Sequence, residues 1–327
     1  VSYITYFSMK EKKNIVVFGG GNGSAITLRA LKQSGDIYTI SAIIAMTDSG
    51  GSSGVLRKEF DTLPPGDIMR AILALSTHGY SDTLKPIFYE TRFQDAGKLT
   101  GHNLGNLFLT WASQYSGNFL FGIRALEQAV RAQGTVHPCT LEAATLMGEL
   151  SDGTNIAGES ELDEPQYSRD LTLEKVWIHP LVAANPDALL CIAQADYIVL
   201  GPGSLHTSVI ASLLPTGIYE AIEKSTAPLI YIAGNKYEVN GETGPTSVDG
   251  CVKALERYLP RAVNTIIFNG SPLTPVQQAY YDKKGWAIFD YNKDRLAGYT
   301  CIETPFELPE GGLDTQKLGE ILREILI

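Results

Sequence analysis

The chain has 327 residues, 44% hydrophobic and 19% charged, which excludes a globally disordered chain. Lys and Arg number 26 against 36 Asp and Glu, a formal net charge of −10. That balance argues against a bulk basic footprint for nucleic acid, and no uncharged apolar run approaches the ~18 residues a membrane helix needs.

Residues 1–13 are irregular and are expected to form an N-terminal extension, with Val1 a non-AUG start or Met9 the true one. Asn14 to Phe18 is a short β-branched run ending in glycines, and Ala25 to Gln33 follows with helical spacing of Ala25, Leu28 and Leu31. Tyr38 to Met46 reads as a strand. Asp67 to Leu75, Leu104 to Tyr115 and Leu120 to Gln133 read as helices, the last stopping at Gly134. Thr140 to Leu150, Gly158 to Leu162 and Leu173 to His179 look like strands and hairpin pieces. Beyond them, Asp196 to Leu200, Pro228 to Ala233 and Asn264 to Asn269 are expected strands. Pro186 to Gln194, Leu205 to Leu214, Gly217 to Ser225, Val248 to Tyr258 and an amphipathic Asp314 to Ile327 are expected helices. Strands alternating with helices of this length indicate βαβ units. The expected fold class is α/β: a doubly wound, mainly parallel Rossmann-like sheet in one domain over 14–327. A small β-rich insertion falls at about 139–180, and the weakest seam at Gly134 to Pro138.

The four cysteines are 50 to 60 residues apart, so they make neither a zinc framework nor a dense disulfide scaffold. They fit free thiols in a reducing compartment, and the chain is expected to be cytoplasmic.

In open parallel sheets, ligands bind beyond the carboxyl ends of the strands. Six polar or glycine-rich loops fall at strand ends or helix starts. Gly19 to Ser24 places four glycines in five residues before a helix, where free N–H groups favour a phosphate. Gly20, Gly21, Asn22, Gly23 and Ser24 are its candidate contacts. The loop fits the dinucleotide fingerprint imperfectly and lacks the Lys-Ser/Thr of a P-loop. Asp48, Ser49 and Gly50 follow the second strand. Asp48 lies about where a ribose-binding acid belongs, and a carboxylate there holds sugar hydroxyls or Mg²⁺. The Gly-Ser run after it reads as an anion-binding nest or a mobile loop. Asp67, in Leu-Pro-Pro-Gly-Asp, is a site acid or simply a helix cap. His102, Asn103 and Asn106 open a further helix with donors. Gly201, Gly203, Ser204, Thr207 and Ser208 make a second candidate anion site, with Ser204 as N-cap. Asn235 and Glu242 follow the strand Pro228 to Ala233, where Asn235 suits a base or sugar. No nucleophile elbow, zinc motif or kinase signature is present.

Taken in order, the segments GGGNGS, DSGGSSGVLR, LPPGD, GHNLGN, GTVHPCT, DGTNIAGES, GPGSLHTS and NGET run from Gly19 to Thr243. This ordered set resembles the 2-phospho-L-lactate transferase-like (CofD-like) family, and within it the bacterial gluconeogenesis factor branch. The resemblance implies a nucleotide cleft in a Rossmann-like sheet. The transferase branch passes a phospholactyl group to a deazaflavin alcohol with Mg²⁺. The gluconeogenesis factor branch is associated with nucleotide sugars such as UDP-N-acetylglucosamine, carbon metabolism, cell-wall supply and cell shape. Four positions depart from the family pattern. Asp48-Ser49 replaces a paired Asp-Asp, Asn22 replaces Thr, His206 replaces Tyr, and Asn235 to Val239 replaces Asn-x-x-Thr-Gln. The missing carboxylate leaves Asp48 as the one metal candidate of that pair.

Three functions follow. The first is a cytosolic nucleotide-sugar-binding regulator. The second is a Mg²⁺-dependent phospho-transferase with Asp48 and Asp67 as catalytic or metal candidates. The third is an NAD-binding protein, for which no hydride-transfer acid or base is evident. Expected partners are a small-molecule nucleotide ligand, a second copy of the chain and regulatory proteins, with no nucleic acid and no membrane. The sequence does not choose between sensor and enzyme.

Overall fold

The computed structural model describes residues 12–326. The expected extension lies outside them through residue 11, and the first strand already begins at Lys13. Along the first half run β1 (Lys13–Gly19), α1 (Gly21–Lys32), β2 (Tyr38–Ile44), α2 (Gly51–Phe60), α3 (Gly66–Leu75), α4 (Leu104–Ser116), α5 (Phe119–Ala129) and β3 (Thr135–Pro138). A π-helical segment, Tyr80–Glu90, precedes α4. Next come β4 (Thr145–Leu150), β5 (Asn155–Ala157), α6 (Glu159–Asp163), β6 (Leu173–His179), α7 (Pro186–Ala193) and β7 (Tyr197–Leu200). After a π-helical turn at Leu205–Ile210 follow α8 (Ile218–Lys224), β8 (Leu229–Gly234), β9 (Tyr237–Glu238), α9 (Val248–Glu256) and β10 (Thr265–Phe268). The chain closes with α10 (Pro275–Lys284), β11 (Trp286–Ala287), β12 (Thr300–Glu303) and α11 (Thr315–Ile325).

Seven strands form one parallel sheet in the order β12-β10-β8-β7-β1-β2-β3. The central strands are apolar on both faces: Ile15, Val16, Val17 and Phe18 in β1, and Ile198, Val199 and Leu200 in β7, are buried. Helices cover such a sheet on both sides, so its strands read as continuous apolar runs rather than alternating ones. The fold is thus α/β and Rossmann-like, with a small antiparallel sheet, β5-β4-β6, beside it.

The order contains one reversal. From β1 the chain builds outward through β2 and β3, then returns to lay β7 on the other side of β1 and builds outward again. The strand order thus reverses between β1 and β7, the position where an open parallel sheet places its ligand crevice.

Several local expectations change. The seam at Gly134 to Pro138 contains β3, which pairs with β2 at the sheet edge. The Gly-Ser run after Asp48 is neither a nest nor a loose loop but the first turn of α2. Its later residues, Leu56 to Glu59, are good helix formers, and they carry the helix through a start the serines alone disfavour. Gly158 to Leu162 is not a strand: Gly158, at φ 110°, turns the chain into α6. Asp67 is no N-cap but lies in the first turn of α3, with Pro65 at the cap. Ser204 holds the cap position without a capping bond of its own.

The glycine loops after β1 and β7 touch. A Cβ built on Gly23 falls 2.0 Å from the Pro202 carbonyl oxygen. That opponent is backbone, so it yields only if one loop moves. Gly23→Ala is expected to cost about 2–3 kcal/mol and to lower the melting temperature by several degrees in a calorimetric scan.

Candidate functional site

At the carboxyl ends of the strands lies a cleft of about 650 Å³, lined by the β1, β2, β7 and β8 loops and by α6. Of the residues singled out from sequence, all line it except Ser24, His102 and Gly201. Ser24 is buried and donates its hydroxyl to the Gly21 carbonyl at 3.2 Å. Gly201 accepts from the Thr27 hydroxyl at 2.9 Å and donates its N–H to Phe18, which ties β7 to β1. His102 is buried, with Nδ1 2.8 Å from the Ser52 hydroxyl. Asn106 donates to that same hydroxyl at 3.1 Å, and its own N–H is capped by Asn103 Oδ1 at 2.9 Å. His102 therefore fastens the start of α4 to α2 and does not line the cleft. The Asn106 amide oxygen remains without a donor among the described residues.

Carboxylates hold the backbone donors of both glycine loops. Asp67 lies against the Gly21 N–H and pairs with Arg70 at 3.0 Å. Burial raises the Asp67 pKa, with Asp48 pushing the same way while Arg70 and the Gly21 N–H pull against them. Arg70 in turn lies over the Tyr89 ring, 4.6 Å from its centroid. On the second loop, Glu242 accepts the N–H groups of His206 and Thr207, each at 3.2 Å. Burial alone would raise the Glu242 pKa; the His206 ring and these N–H bonds outweigh it and hold the pKa below the ordinary value. The His206 ring lies 3.4 Å from Glu242, too poorly aligned for a hydrogen bond. Asn235 donates to Glu307, which also accepts from the Tyr281 hydroxyl, so the amide is held from behind.

Two site acids were missed in the sequence, Glu159 and Asp163. They lie four apart on α6, hence on one helix face, and both line the cleft. Their signal was the run Glu-Ser-Glu-Leu-Asp, a set of helix-compatible residues taken for a strand. The Ser49 N–H donates to Glu159 at 3.3 Å, and the Ser160 N–H donates to the Ser49 hydroxyl at 3.1 Å. This clasp joins the small sheet's α6 to the β2 loop. Asp163 accepts from the Ser204 and Thr207 hydroxyls, both at 3.2 Å. Burial raises the Glu159 carboxyl to about 8, reinforced by Asp48 and Asp163. Burial beside Glu242 raises Asp163 to about 6.

Seven carboxyl-bearing residues thus line the cleft against three cations, Arg70, Arg92 and Lys236. Among the described residues no group of three or more carboxylate, histidine or thiol side chains is set to hold a metal ion. Asp48 accepts the Gly50 N–H at 3.0 Å through one oxygen.

The sequence model of 2-phospho-L-lactate transferase CofD matches residues 15–307. The chain belongs to the CofD family. A gluconeogenesis factor of Halalkalibacterium halodurans is 36% identical over 320 residues, covering 97% of this chain and 96% of the relative. The gluconeogenesis factor of Bacillus subtilis is 32% identical over 325 residues, covering 97% and 99%. A crystal structure of a Bacillus halodurans protein superposes with a TM-score of 0.87 at 34% identity, covering 96% of this chain and all of that one. A second, titled as a member of the UPF0052 family from the same organism, gives 0.86. Among CofD-family chains, this one thus aligns nearly end to end with relatives named gluconeogenesis factor.

Glu159 tests the electrostatics. A carboxyl whose folded pKa lies above its unfolded value of about 4.3 favours the fold most at low pH. That contribution is lost as pH rises from the unfolded to the folded pKa, here up to about 8. Glu159→Gln removes the titration, so its gain in melting temperature over the parent should grow between pH 5 and pH 9; a pH-independent difference contradicts the shift.

Proposed function

We propose that the protein binds a nucleotide sugar of the UDP-N-acetylglucosamine kind and acts as a cytoplasmic regulator of carbon metabolism, cell-wall precursor supply and cell shape. One observation carries the ligand reading: the two glycine loops abut at the sheet's reversal point, so two sets of backbone donors serve one cleft. A pyrophosphate spans two such sets, and open parallel sheets bind nucleotides at that position. The diphosphate lies along Gly20 to Gly23 and Gly203 to Ser204, displacing Asp67 and Glu242 from the N–H groups they hold. Asp48 takes a ribose hydroxyl. The unpartnered Asn106 oxygen and the braced Asn235 amide orient the remainder.

The cleft's acidity sets the condition for binding. An anion enters a site of excess carboxylates only if protons or a divalent cation offset them. Mg²⁺ suits this role through Asp48 together with the ligand's own phosphates, since Mg²⁺ commonly takes one or two carboxylates plus substrate oxygens.

Titration calorimetry with UDP-N-acetylglucosamine tests the reading. Binding is expected, weakening about tenfold or more from pH 6 to pH 9 without Mg²⁺ as Asp163 and Glu159 ionise. Added Mg²⁺ should flatten that slope. No heat at millimolar ligand, with or without Mg²⁺, rejects the proposal.

A second reading, phospho-group transfer, is favoured by Glu159 alone: a carboxyl near 8 beside the cleft suits a general base at neutral pH. In that reading Asp48 holds Mg²⁺ and Asp67 supports the loop. Glu159→Gln should then reduce turnover at least a hundredfold with little change in ligand affinity, and Asp48→Asn should reduce both.

A further inference from the structure

Asn235 follows β8 directly and lines the cleft together with the Tyr237, Trp286 and Phe289 rings. The pairing of β9 with β11 sets this wall, with Ala287 opposite Tyr237 and Trp286 opposite Glu238. The Trp286 ring meets Tyr280 and Tyr281 edge-on, each at 5.7 Å. Behind Asn235, and not itself lining the cleft, sits Glu307, 4% exposed. One Glu307 oxygen accepts both the Asn235 amide N–H and the Tyr281 hydroxyl. Burial, and the bond to Glu307 after it, hold the Tyr281 phenol above its ordinary pKa, so it stays a donor. A carboxylate only accepts. The Asn235 nitrogen is therefore committed to Glu307, and the amide oxygen is the group left to the cleft. The other Glu307 oxygen has no donor among the described residues. An unmet buried carboxylate oxygen is costly to a fold, and glutamine would fill the same space without that charge. Packing alone thus gives no reason for a carboxylate at this position.

We infer that Glu307 is a positioning residue that turns the Asn235 oxygen into the cleft, where it accepts a hydrogen bond from the sugar of the bound nucleotide sugar. This role rests on the nucleotide-sugar reading and deepens it by placing the sugar. In the order β8-β7-β1-β2, Asn235 and Asp48 follow strands on opposite sides of the two glycine loops, three strand spacings or about 14 Å apart. With the diphosphate on those loops and the ribose at Asp48, the group beyond the second phosphate falls at Asn235, and that group is the sugar. The hydroxyls and the acetamido N–H of an N-acetylhexosamine all donate to a fixed acceptor. Its apolar C–H face suits the rings of Tyr237 and Trp286, which offer flat apolar area beside a polar handle.

Titration calorimetry on the full chain in Mg²⁺, with UDP and with UDP-N-acetylglucosamine, tests this. Asn235→Ala should weaken the sugar nucleotide about tenfold and leave UDP within about twofold. Glu307→Gln should weaken the sugar nucleotide about threefold and spare UDP, without lowering the melting temperature. In the Asn235→Ala background, Glu307→Gln should cost nothing further. Asp48→Asn should weaken both ligands alike. If Asn235→Ala weakens UDP as much as the sugar nucleotide, that end holds the nucleoside, and the sugar's place is overturned while nucleotide-sugar binding stands. No change in Glu307→Gln, an equal loss for both ligands, or a loss that persists without the Asn235 amide overturns the positioning role. A parent that binds neither ligand rejects the nucleotide-sugar reading itself, and the sugar's place with it.

Discussion

The constraint on which the cleft depends is the approach of Gly23 to the Pro202 carbonyl. It joins the first turn of α1 to the loop after β7, and nothing larger than a hydrogen fits between them. The same closeness seats two sets of backbone N–H groups on a shared cleft. Cleft shape and loop chemistry therefore depend on that contact. The order β7-β1-β2 puts these two strands side by side, and the absent side chain lets their loops meet. Neither alone is sufficient.

Electrostatics then decides how the cleft rests. Backbone donors at helix starts favour an anion, and here the protein supplies its own: Asp67 on one loop and Glu242 on the other. The stand-ins keep buried N–H groups satisfied when no ligand is bound, which spares the fold an unmet donor. They also load the cleft with negative charge. The acids on α6 are raised first by their own burial and then by neighbouring carboxylates, Asp48 beside Glu159 and Glu242 beside Asp163. The glycine loops are thus a cradle already filled by the protein's own carboxylates.

Much of this architecture was legible in the sequence, because β-branched runs such as Asn14 to Phe18 and Asp196 to Leu200 end directly in glycines. Strand ends are where a parallel sheet keeps its ligands, so the loops marked their own importance. What stayed hidden was arrangement. His102 looks like a donor for a ligand, yet its partner is Ser52, fifty residues away and invisible as such. The start of α2 reads as a loop because Gly and Ser are weak helix formers; the residues after it carry the helix through, and bonds from Ser52 to His102 and Asn106 pin that first turn. Glu159 and Asp163 look like ordinary surface acids until α6 carries them over the cleft. The parallel order of β10 and β12 at the far edge had no local signal beyond the short apolar run Thr265–Phe268.

The reversal in strand order has a cost in chain length. To pass from β3 at one margin to β7 in the middle, the backbone must travel back over β2 and β1, about 14 Å of sheet at three strand spacings. A bare connector would suffice for that trip. Here the detour is furnished with β4, β5, α6, β6 and α7, and it sets α6 into the wall of the cleft, latched at Ser49. One wall of the cleft is therefore built from the stretch of chain that the reversal sends back across the sheet.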